Sequence, residues 1–91
     1  MGVEAVYLAV DGDENKHEVV VCNVEETNDG ELCYMVEAEG FYDPVEGVPI
    51  AIIDEGKRRP IKAILDVDQT RRQVDTDFEW VVFMHVITVR N

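Results

Sequence analysis

The sequence predicts an all-β protein, a small six-stranded antiparallel barrel or a curled sheet or sandwich, on three observations. Sixteen of the 91 residues are Val, whose branched Cβ favours a pleated strand over a helix. Six apolar or alternating segments follow one another at intervals of 10 to 19 residues, mostly joined by hairpin-type turns. The last of these, Glu79 to Arg90, is apolar on both sides. Val81, Phe83, His85, Ile87 and Val89 share one face of an extended chain, and Trp80, Val82, Met84 and Val86 share the other. Left at a sheet edge such a run would template aggregation, so it belongs in a central position, in a closed barrel or under a subunit interface.

The elements follow in order. Val3 to Val10 reads as the first strand, with Val6, Leu8 and Val10 on one face and Tyr7 on the other. Asp11-Gly12-Asp13-Glu14-Asn15 supplies the turn into a second strand, His17 to Val24. A turn over residues 25–30 leads to the clearest alternation of the first half, Leu32, Tyr34, Val36 and Ala38 against Glu31, Cys33, Met35, Glu37 and Glu39. Two glycines and two prolines in residues 40–49 demand a wide loop before a short strand at Ile50 to Asp54. In the fifth segment Ile61, Ala63, Leu65 and Val67 alternate with Lys62, Ile64, Asp66 and Asp68. A helix opening at Pro60 is the rival there, because Ile61, Ile64 and Leu65 also fit a helical stripe. Residues 69–78 are polar, hold no Gly or Pro, and leave room for one short helical turn.

Ninety-one residues make one all-β domain, 1–91, with a single modest core. No basic leader runs into an apolar segment, and the run at 80–89 is too short to cross a bilayer, so a cytoplasmic protein without membrane contact is expected. Cys22 and Cys33 fit that compartment as reduced strand residues. The chain has no Ser, which excludes a serine nucleophile. Cys22, Cys33, His17 and His85 have the atom types for zinc but neither of its usual ligand spacings. Asp11, Asp13 and Asn15 imitate the opening of a calcium loop, yet Lys16 stands where that loop needs Gly. Asp66 with Asp68, and Asp75 with Asp77, each put two carboxylates on one side of an extended chain; weak Mg²⁺ binding is the alternative to reading them as solvated strand ends. We expect no enzyme, no cofactor and no metal.

Charge distribution is the feature above background. The formal charge is −12; residues 1–56 hold 15 acids and a single base, whereas 57–91 hold 5 acids and 7 bases. Such a balance repels polyphosphate, so direct nucleic-acid binding is disfavoured and a basic protein is the natural partner. Glu25, Glu26, Asp29, Glu31, Glu37 and Glu39 concentrate around the second hairpin, where a row of carboxylates imitates a nucleic-acid backbone to a protein that binds one. A solubilising surface is the bland reading of the same acids. Lys57, Arg58, Arg59, Lys62, Arg71 and Arg72 form a counter-patch, which either neutralises acids of its own subunit or docks on the acidic half of a second copy to build a homo-oligomer. Phe41 and Tyr42 place two aromatics in the wide loop, one of them a candidate interface anchor. The expected function is that of an acidic, non-enzymatic inhibitor acting on a basic nucleic-acid-handling protein, a composition shared by small viral inhibitors; self-assembly is the alternative.

Overall fold

A computed structural model describes residues 2–39 and 47–90. Six strands, β1 (Val3–Leu8), β2 (Glu14–Glu26), β3 (Leu32–Glu39), β4 (Val48–Asp54), β5 (Lys57–Val74) and β6 (Asp77–Thr88), close a barrel in the order β1-β2-β3-β6-β5-β4, all neighbours antiparallel. The fourth strand returns to lie beside the first, the Greek-key order. The predicted all-β barrel is therefore the observed architecture, and β6 is central as expected, paired to β3 on one edge and β5 on the other.

Closure depends on the two longest strands. β2 pairs with β1 from Glu14 to Val19 and with β3 from Val20 onward. β5 pairs with β4 through Lys57 to Pro60, then with β6 from Ile61 to Val74. Each strand thus belongs to two sheets and must turn a corner, and each carries bulges near it: the register slips at Cys22 in β2, and at Lys62 and Leu65 in β5. A bulge adds one residue to one strand, bending it and increasing its twist.

Those bulges explain the ambiguity of the fifth segment. Ile61, Ile64 and Val67 pack against the core, a spacing of three that mimics a helical stripe, because each interval between them contains one extra residue. Strict alternation would have put Leu65 inside; it is 60% exposed. One expectation is corrected: residues 69–78 hold no helical turn. They continue β5 to Val74, turn at Asp75-Thr76 and start β6, since the even-numbered and odd-numbered residues of 69–74 each find a cross-strand partner on β6.

The core is built from Ala5, Val19, Tyr34, Val36, Ala38, Ile52, Val82, Met84 and Val86, with Val3, Tyr7, Val21 and Leu32 packed against it. In β3 the inward set matches the predicted alternation. In β1 the side packed against this cluster is Val3, Ala5 and Tyr7; of the face expected to be inward, Val6 is fully buried, whereas Leu8, and Val10 beyond the strand, are exposed. Two tight turns have visible causes. Glu55-Gly56 links Asp54 to Lys57 with both central residues at positive φ (51° and 77°), the two-residue hairpin geometry whose twist matches that of the strands. At the first hairpin, Asp11 accepts a hydrogen bond at Oδ1 from the Asp13 amide at 3.0 Å, and Gly12 takes φ 93°. The Asp-rich segment that resembles a calcium loop is a hairpin turn.

Candidate functional site

Alternation along β6 decides what the barrel shows to the outside. Val82, Met84 and Val86 point into the core, so Phe83, His85 and Ile87 point outward, where all three are half-buried. Closure protects both edges of β6 but only one of its faces, and the second apolar face remains on the surface. Register then fixes its neighbours. Ile87 lies between Cys33 and Ala63, His85 between Met35 and Asp66, and Phe83 between Glu37 and Asp68. Beyond β3, Glu25 of β2 is opposite Cys33. The outer face of the β2-β3-β6-β5 sheet therefore has an apolar centre, Cys33, Met35, Phe83, His85 and Ile87, with carboxylates along both borders.

The predicted acidic residues are distributed unevenly with respect to cations. Glu26 pairs with Arg90 at 2.9 Å, Glu31 with Lys62 at 2.8 Å, and Glu37 with Arg72 at 3.2 Å. Glu25 and Asp29 are exposed and form no ion pair among the described residues. Glu39 ends β3 opposite Val81. Asp66 and Asp68, which sequence reasoning set aside as solvated strand ends, are exposed on the same outer face and are likewise without an ion pair among the described residues. Phe41 and Tyr42 lie outside the described residues.

The basic segment is largely engaged within its own subunit. Arg58 pairs with Glu14 at 2.8 Å. The hydrogen bond from Lys62 to Glu31 pushes the ammonium pKa up. Arg72 donates from Nε to Glu79 Oε1 at 2.8 Å and from Nη1 to Glu37 Oε1 at 3.2 Å, and Glu79 first, then Glu37, holds its pKa above the ordinary value. Because Arg72 is opposite Glu79 and Glu37 is opposite Phe83, the guanidinium bridges β5 and β3 across β6. Val81, between Glu79 and Phe83 on that face, is 1% exposed. Arg59 stands beside Tyr34, close enough to oppose the upward pKa shift of the phenol. Arg71 lies over aromatic rings, its guanidinium carbon 4.3 Å from the Phe78 centroid and 5.8 Å from that of Trp80. Lys57 is exposed and has no ion pair among the described residues.

Other candidate chemistry does not assemble. Among the described residues no group of three His, Cys, Asp or Glu converges as for a metal, and Cys22 and Cys33 are both free thiols. His17 meets Tyr7 edge-to-face at 5.2 Å. A cleft of about 700 Å³ is lined by His17, Glu18, Val20, Glu37 and Arg72, with Gly2 and Val19, but its Glu37 and Arg72 already neutralise each other. No helix among the described residues is long and apolar enough to cross a membrane. Compared with known protein families, with curated proteins and with solved structures, the chain finds no match.

The residues that sequence reasoning missed are those of the outer face. The signal for them was present in the two-sided apolar character of Glu79 to Arg90. What was missing was the register that sets Asp66 and Asp68 beside it.

Proposed function

We propose that this is a non-enzymatic binding protein that presents an acidic β-surface to a basic protein and inhibits it by occupying the groove in which that protein holds nucleic acid. The observation that carries the reading is the outer face of β3, β6 and β5. An apolar centre with a polar border is the anatomy of a protein interface, and here the border consists of carboxylates. Asp66 and Asp68 project from one face of β5, roughly 6.7 Å apart by strand geometry, with Glu25 on the far side of the sheet. The contact surface is thereby shifted from the row at the second hairpin, half of which is neutralised by Lys62, Arg72 and Arg90. Self-assembly through the basic segment has less support, since Arg58, Lys62 and Arg72 are held by acids of the same chain and would have to exchange partners.

Displacement tests the reading. A panel of purified basic DNA- and RNA-binding proteins, each loaded with a labelled duplex, is titrated with the protein at two salt concentrations. Displacement is expected from at least one member at low salt, fading as the Debye length shrinks from roughly 10 Å at 0.1 M to 3 Å at 1 M, and absent for the double variant Asp66→Lys, Asp68→Lys. Failure to displace duplex from any member, or displacement indifferent to both salt and charge reversal, would refute it.

A further inference from the structure

Beyond the last residue of β3, β5 and β6 run on as a two-stranded ribbon. β3 reaches β6 as far as the Glu39–Val81 pair, whereas β5 and β6 continue through Arg71–Trp80, Arg72–Glu79, Gln73–Phe78 and Val74–Asp77. The alternation that turns Val82 inward gives Arg71, Phe78 and Trp80 to one face of this ribbon and Arg72 and Glu79 to the other. Phe78 is 58% exposed. In a chain of 20 acids, Arg71 forms no ion pair among the described residues and instead places its guanidinium over two rings. The faces of Phe78 and Trp80 thus already receive one guanidinium, that of Arg71, in the free protein.

We infer that the Phe78–Trp80 pair is a receiving site for an arginine side chain of the basic partner, occupied in the free protein by Arg71. The inference rests on the reading of a basic partner given above and adds to it the side chain by which that partner is held. Three features combine. The rings present π faces that attract guanidinium, Trp most strongly. Asp75 and Asp77, both exposed, stand at the tip of the ribbon and raise the local concentration of cations. Arg71 competes for the seat from within the chain, so a partner's arginine must displace it, and removal of Arg71 takes away that competitor. Guanidinium stacks on aromatic faces better than an ammonium does, so the site discriminates arginine from lysine, which a merely acidic surface does not.

Trp80 is the only tryptophan, so its indole N–H gives a single, assigned NMR resonance to follow. The intact protein is titrated with tri-arginine and, separately, with tri-lysine. Tri-arginine is expected to shift this resonance at a concentration about 2- to 5-fold lower than tri-lysine, the factor an exposed cation–π contact contributes. Arg71→Ala should lower the tri-arginine concentration by a similar factor, and Phe78→Ala should abolish the preference for arginine, both with the remaining amide spectrum unchanged. Equal response to the two peptides, or weaker tri-arginine binding by Arg71→Ala, overturns the inference. Loss of the arginine preference with duplex displacement retained removes this seat alone. Retained preference without displacement removes the function proposed above and leaves the seat in place.

Discussion

Tyr34 shows how one side chain ties the barrel together. It stands on β3, is 1% exposed, and donates its hydroxyl hydrogen to Asp54 Oδ2 on β4 at 2.8 Å, although β3 and β4 are not neighbours in the barrel. The phenol therefore links two strands that do not pair, across the interior. Burial pushes its pKa above the ordinary 10.0, and the hydrogen bond and charge of Asp54 push in the same direction, against Arg59. A folded-state pKa above the unfolded one means that the native state holds the proton more tightly. The corresponding stability is present in full below the unfolded value and is lost as pH rises through the folded one. Tyr34→Phe should cost about 2 kcal/mol at neutral pH, the net value of a hydrogen bond to a charged group, and should flatten the decline in stability above pH ~10. Denaturant midpoints measured across the alkaline range check both. Parallel alkaline profiles for the two proteins would show that Tyr34 is not linked to folding in this way.

At the scale of the strand, β3 and β5 mark the limits of what periodicity reveals. In β3 the pattern Leu32, Tyr34, Val36, Ala38 is uninterrupted because the strand pairs along its whole length without a bulge against β6, and its inward residues were legible. β5 leaves β4 for β6 after Pro60 and absorbs two extra residues just beyond. Its inward set, Ile61, Ile64 and Val67, was illegible because a bulge is a response to closure, which no local pattern encodes. The same reason hid the polar 69–78 segment: its strand character comes from register against β6, and its residues have no strand pattern of their own. A paired substitution isolates the point. Ile64→Asp buries a carboxylate against the core and should prevent folding, a cost of several kcal/mol, whereas Leu65→Asp, one residue away on the bulge, should leave yield and thermal midpoint nearly unchanged. Soluble expression and thermal melts of the two variants suffice, and the reverse order of damage would restore strict alternation.

For the whole molecule, the two-sided apolar character of β6 and the net charge of −12 have a joint explanation. A closed barrel covers one face of every strand and leaves the other outside, so an outward stripe of Phe83, His85 and Ile87 is not required for closure. On the proposed function, acids along its borders keep such a surface in solution and select a cationic counterpart. The charge asymmetry between the halves of the sequence was legible, but the fold redistributes it: most of the basic segment is engaged in cis, and the carboxylates without an ion pair among the described residues include Asp66 and Asp68 from the less acidic half. Binding to a basic protein should accordingly combine a salt-sensitive rate of association with an apolar contribution that persists once docked. The measurement closest to this claim is a map of backbone amide resonances in the complex with whichever basic protein releases its duplex. The largest changes should fall on Cys33–Glu37, Ala63–Asp68 and Phe83–Ile87, and should need a higher partner concentration as salt is raised. Changes concentrated on β1 and β4, with Phe83 to Ile87 unmoved, would contradict the account.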